Sequence, residues 1–196
     1  MEKRKAIVTG SSSGIGKAIT SILLKSGADV IGIARDHEKF EPNFACYLPI
    51  SLDLSDFEKI ESVIPQLLLE HSDIDVLICN AGHGDFQALE NFSSKQISKF
   101  INLNLISHII LCRHLVSYMK AKGNGDIIVI GSEASLAGKK KATLYSAAKF
   151  GLRGFTQALR DECSNTGVRV CLINPGFVRS SFFDSLNFKP GDAENN

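Results

Sequence analysis

The sequence has no long apolar stretch, no excess of either charge, and no pair of cysteines at a redox or metal-binding spacing. No run of apolar residues approaches the ~20 needed to span a bilayer, so no membrane partner is expected. The N-terminal MEKRK is basic, as the head of a secretion signal would be, but AIVTG breaks into SSSG before an apolar region can form. With 22 Lys and Arg against 21 Asp and Glu there is no global field to draw in nucleic acid or an anionic surface. The five cysteines, Cys46, Cys79, Cys112, Cys163 and Cys171, form no C-x-x-C and no zinc spacing. No metal ligands are therefore expected. An odd number of thiols suits a reduced, cytoplasmic protein in which they are inert and buried.

What is present reads as one globular domain, residues 1–196, with 44% hydrophobic content. Six short apolar runs, KAIVTG, DVIGIAR, ACYLPISLD, IDVLICNAG, DIIVIGS and VRVCLINPG, end in or near turn-forming residues, and longer segments of helical period lie between them. Ile15, Ala18, Ile19, Ile22 and Leu23 form one predicted helical stripe, closed by Gly27 as a C-cap. Ser55 and Glu58 predict a capping box before a stripe of Ile60, Val63, Ile64, Leu67 and Leu68, in which Pro65 should kink or shorten the helix. Ser93 and Gln96 predict the cap of a long helix whose inward stripe runs Ile97, Ile101, Asn104, His108, Leu111 and Leu115. Alternating strands and helices joined by right-handed crossovers give an α/β fold, a doubly wound parallel sheet with helices on both faces. Ligands in such folds sit beyond the carboxyl ends of the strands.

Two tyrosine–lysine pairs stand four residues apart, Tyr145 with Lys149 and Tyr118 with Lys122. Three tyrosines and fifteen lysines give roughly 0.2 such pairs by chance, so spacing alone carries little. Tyr118 ends its helix just before GNGD leads into the amino end of a strand, which places it at the edge away from ligands. Tyr145 follows the loop that leaves the carboxyl end of that strand, where Ser132 stands. VTGSSSGIGKA joins the first strand to the first helix, so Gly10, Gly14 and Gly16 stand where backbone can approach a ligand and free N–H groups can hold a diphosphate. Asn104, an amide within an apolar stripe, must find partners; backbone is one alternative. His108 reads as a core or interface histidine. Lys139 to Lys141, near the substrate mouth, read as a solvated loop or as a preference for an acidic substrate.

From Thr9 to Gly16 the chain resembles a short-chain dehydrogenase/reductase, a family whose loop reads T-G-x-x-x-G-x-G. The resemblance continues in order: Asn80, Ala81 and Gly82 as N-A-G with Cys79 in place of a preceding asparagine, Asp53 where an acid meets the adenine, Asn104, Ser132 thirteen residues before Tyr145, and NPGFVRS as the P-G loop. It implies a Rossmann-type sheet of about six strands in the order 3-2-1-4-5-6. It also implies cofactor contacts from Gly10, Ser12, Ser13, Gly14, Ile15, Gly16, Arg35, Asp53, Leu54, Asn80, Ala81, Gly82, Tyr145, Lys149, Pro175, Gly176 and Val178. The implied catalytic set is Asn104, Ser132, Tyr145 and Lys149, acting on a small carbonyl or alcohol substrate, usually in a homodimer or homotetramer. In the family pattern the asparagine's helix is locally distorted.

Arg35 at the end of the second strand favours NADP(H) over NAD(H), because a guanidinium pairs with a 2′-phosphate; Asp36 could instead occupy it, and NAD(H) stays possible. The ammonium of Lys149 beside the Tyr145 phenol is expected to lower its pKa, suiting it to proton transfer as hydride moves. Family members usually continue further past the P-G loop. Residues 180–196 therefore read as a short substrate loop, with Phe182 and Phe183 as apolar covers, and a frayed tail from Gly191. A nucleotide-binding sensor that kept the fold without turnover is the rival reading. An epimerase or dehydratase is disfavoured by the glycine spacing and by the length.

Overall fold

The structure, a computed structural model, describes residues 4–38, 40 and 42–178. The expected covers Phe182 and Phe183, and the tail, lie outside the described residues. A six-stranded, all-parallel sheet runs in the order β3-β2-β1-β4-β5-β6, formed by β1 (Lys5–Thr9), β2 (Asp29–Ala34), β3 (Tyr47–Ser51), β4 (Val76–Cys79), β5 (Gly125–Ile130) and β6 (Val168–Ile173). The four central strands are apolar because both of their faces are covered. The outer strand β3 is more open, and it tolerates Pro49 because an edge strand has unpaired backbone positions to spare.

The helices are α1 (Gly14–Lys25), α2 (Phe57–Glu70), α3 (Ser94–Ile101), α4 (Ser107–Lys122) and α5 (Thr143–Glu162). Packed on one face of the sheet, α2, α4 and α5 bury Ile60, Ile64, Leu111, Leu115, Met119 and Leu152 against Ile7, Leu77 and Ile127. Each such side chain stabilises the fold by about 1.5–3 kcal/mol. On the opposite face α1 contributes Leu24 to a smaller cluster with Ala6, Val8, Val30 and Ile78. The helix from Ser94 to Lys122 is long and apolar enough to cross a membrane by length and composition. Its apolar side chains Leu111, Leu115 and Met119 are spent on the sheet.

Four local expectations change. In α1 the buried face is Gly16, Thr20 and Leu24, while Ile22 is exposed. The helix is rotated because Gly16 must lie against Gly10 and Asn80, where a Cβ would collide. That helix ends at Ser26, and the left-handed Gly27 (φ 86°) follows as the residue beyond the cap. Asp56, not Ser55, caps α2 by accepting from the Lys59 N–H; Ser55 is occupied by Asp53. Pro65 lies inside α2 without shortening it, since Ile60, Ile64 and Leu67 anchor the helix on both sides. The box formed by Ser93 and Gln96 on α3 is present in full.

Candidate active site

The glycine-rich turn is tied to the loop after β4 through Thr9. Its Oγ1 donates to the Ile78 carbonyl and accepts from the N–H groups of Asn80 (2.9 Å) and Ala81 (3.0 Å), while Asn80 Nδ2 donates to the Thr9 carbonyl (2.9 Å). Gly10 takes φ 66°, and a Cβ there would stand 3.1 Å from Ala81 Cα, so the backbone approach requires glycine. Ser13, the N-cap of α1, makes no side-chain capping bond. The first N–H groups of that helix therefore keep their positive ends for an anion.

At the other end of the cleft, α3 passes into α4 through a π turn, Asn102–Ile106. This is the local distortion implied by the resemblance. It carries Asn104, 1% exposed, whose Nδ2 donates to the Phe100 carbonyl (3.0 Å) and whose Oδ1 accepts from the His83 N–H (3.1 Å). Its amide is thus satisfied by backbone on both sides. Ser132 leaves β5 in extended conformation, its N–H held by Asn174 Oδ1 (3.1 Å). The same oxygen accepts from Ser135 (2.9 Å), so Asn174, in the turn after β6, orients the serine.

Lys149 is 5% exposed; its Nζ donates to the Ile130 carbonyl (3.0 Å) and lies 5.6 Å from the centre of the Tyr145 ring. Burial lowers its pKa to about 8. The expected lowering of the phenol is reversed: burial pushes Tyr145 up, and a hydrogen bond with Ser132 only partly offsets this. The reason is the burial of the ring, which outweighs both the Ser132 bond and the ammonium placed 5.6 Å from the ring centre. His108 is fully buried, and burial with the nearby charge of Lys149 takes it down to about 3, so it is a neutral core histidine.

These residues border a two-lobed cleft beyond the carboxyl ends of the strands. The larger lobe, about 310 Å³, is lined by Gly10, Ser13, Gly14, Ile15, Asn80, Asn104, Ser132, Tyr145, Lys149, Pro175, Gly176 and Val178. That size is within the range of small-molecule sites. The smaller, about 200 Å³, is lined by Ser12, Ser13, Asp36, Leu52, Leu54 and Leu103. Arg35, Ala81, Gly82 and His83 border both lobes. Two expected contacts do not line either lobe: Gly16, which serves the packing of α1, and Asp53. Burial would raise the Asp53 carboxyl, but bonds from Ser55 and the charges of Arg35 and Lys99 outweigh it and hold it low. Asp36 accepts from the Glu38 N–H (2.8 Å) and, among the described residues, makes no ion pair with Arg35. Three thiols are buried as expected, but Cys46 is half-buried and Cys171 exposed.

His83 and Asn174 are not among the expected site residues, although each adjoins or opens a recognised motif: His83 follows Asn80–Gly82, and Asn174 heads NPGFVRS.

The profile of one family, described as short chain dehydrogenase, matches residues 4–190. The chain is 33% identical over 194 residues to the 3-oxoacyl-[acyl-carrier-protein] reductase FabG of Buchnera aphidicola, covering 95% of this chain and 78% of that protein. It superposes on a metagenomic short-chain oxidoreductase solved with NADP at a TM-score of 0.82, with 34% identity and coverage of 90% of this chain and 83% of the other. A 4-hydroxyisoleucine dehydrogenase solved with NADH gives a TM-score of 0.84 at 28% identity, covering 91% and 77% respectively.

Proposed function

Because the chain belongs to the short-chain dehydrogenase family, an oxidoreductase family, we propose that it interconverts a carbonyl and a secondary alcohol with a nicotinamide dinucleotide, NADP(H) in preference to NAD(H). The observation that carries the reading is the convergence of Ser132, Tyr145 and Lys149 on the lobe that also reaches the glycine-rich turn. The residues present fit a dinucleotide. Gly10 and Gly14 bring backbone without side chains to the larger lobe, the start of α1 is uncapped for a diphosphate, and Arg35 faces the smaller lobe without a carboxylate partner among the described residues. When bound, the nicotinamide supplies or accepts the hydride.

The chain's own residues handle the oxygen and the proton. Ser132 and the Tyr145 hydroxyl both donate to the substrate oxygen in reduction, and Tyr145 passes it the proton. A phenol held above its usual value by burial stays protonated near neutral pH, which suits the reducing direction. The buried ammonium of Lys149 stabilises the phenolate that remains. Asn104 fixes the loop of Gly82 and His83 against the helix that faces it.

The test is fluorescence titration with NADPH and NADH, followed by NADPH consumption with ketones, quinones and 3-oxoacyl thioesters, the last class chosen for the FabG relative. Tighter NADPH binding and oxidation with one of these classes is expected. Binding without turnover across all three would favour the sensor reading.

A further inference from the structure

His83 follows Gly82 in the loop after β4 and belongs neither to the glycine-rich turn nor to the tyrosine–lysine helix. Its position is fixed from two sides. The backbone N–H donates to Asn104 Oδ1 (3.1 Å), and the imidazole stands edge-on to the buried Phe100 with ring centres 5.1 Å apart. The residue borders both lobes of the cleft, as do Gly10, Ser13 and Arg35. An elongated ligand reaching from one lobe to the other passes this group, beside the uncapped start of α1 where phosphate oxygens are favoured.

The charges facing His83 come from three elements. His83 is open to solvent on the cleft side; where the loop and Phe100 cover it, partial desolvation disfavours its cation most, Arg35 beyond β2 adds to this, Asp85 on its own loop opposes it, and Lys99 on α3 again disfavours it, for a net pKa below the usual value. Asp53, which feels the same two cations, is engaged by Ser55. Of the carboxylates near these cations, Asp36 accepts from the Glu38 N–H, Asp53 from Ser55 and Asp85 from Gln87, so each is already engaged, and an anion in the cleft complements Arg35 and Lys99.

We infer that His83 is a further cofactor-contact residue, its imidazolium pairing with the diphosphate linkage of the dinucleotide, so that binding takes up a proton and tightens as pH falls. The inference rests on the dinucleotide reading above. An anion beside the ring raises the pKa of the bound state over that of the free state. Affinity then rises as pH drops through the bound-state value and levels off below the free-state value, changing at most about tenfold per pH unit.

NADH is the appropriate probe, since its diphosphate stays ionised throughout, whereas the 2′-phosphate of NADPH, a monoester, titrates near ~6. Wild-type Kd for NADH should weaken about 3- to 10-fold between about pH 5.5 and about pH 7.5. His83→Gln, which keeps the backbone bond to Asn104, should lose that slope. His83→Lys should bind independently of pH, at least as tightly as the wild type at the acid end; a merely structural histidine would give no such rescue. A flat wild-type profile, a slope that survives in His83→Gln, or absence of rescue by lysine would overturn the role of His83 alone. Absence of binding of either nucleotide would overturn the dinucleotide reading with it.

Discussion

Tyr145 with Lys149 and Tyr118 with Lys122 have the same spacing, and their local geometry is nearly the same. In each the lysine Nζ lies over the ring of its own tyrosine, 5.6 Å and 5.2 Å from the centre, and donates to a backbone carbonyl, that of Ile130 (3.0 Å) and that of Ile74 (3.3 Å). Helical periodicity produces this contact wherever the two residue types fall four apart. What differs is the end of the sheet. Ile130 ends β5 at the carboxyl edge, where the cleft opens; Ile74 precedes β4 at the opposite edge, and the Tyr118 hydroxyl is consumed by the Ser72 carbonyl. Neither lobe of the cleft reaches Tyr118. Lys149 is buried and Lys122 exposed. Chemistry therefore depends on where the pair is mounted, and spacing is only its precondition.

Removing each cation separates the pairs most strongly. Lys149→Met should lower kcat/KM with the accepted carbonyl substrate by about 10²-fold or more, while Lys122→Met should stay within about twofold; steady-state kinetics on both variants would decide, and equal losses would erase the distinction. Stability should move in the opposite sense to activity. The folded chain binds fewer protons at Lys149 than the unfolded chain between about 8 and the ordinary lysine value of 10.5, so wild-type stability should rise with pH across that window. Near neutral pH the buried ammonium costs about 3 kcal/mol, and its bond to Ile130 returns about 1, so Lys149→Met should be more stable by about 2 kcal/mol in urea unfolding. Lys122→Met should show no such gain. The smallest effect belongs to Tyr118→Phe, which loses one hydrogen bond and should cost about 0.5–1.5 kcal/mol without changing turnover.

Much of this contrast was legible in the sequence, because strand order and sheet edge follow from the alternation of apolar runs and helical stripes. The glycine turn, the loop from Asn80, and the sites of Ser132 and Asn104 all face one cleft as the motif order implies. Less legible were features set by close packing. The inward face of α1 is dictated by Gly16 against Gly10, which outweighs the bulk of Ile22. The continuity of α2 through Pro65 depends on anchors in the sheet that no local rule weighs. The sign of the Tyr145 shift is not legible because spacing gives only proximity to Lys149, while the burial that outweighs it appears only in three dimensions. His83 was missed because its significance comes from both lobes meeting at it.

The most direct measurement is turnover of Tyr145→Phe and Tyr118→Phe side by side, with NADPH affinity determined on both. The account predicts that the first loses at least about 10²-fold in kcat/KM with cofactor affinity nearly intact, and that the second matches the wild type. Turnover in Tyr145→Phe equal to that in Tyr118→Phe would contradict it.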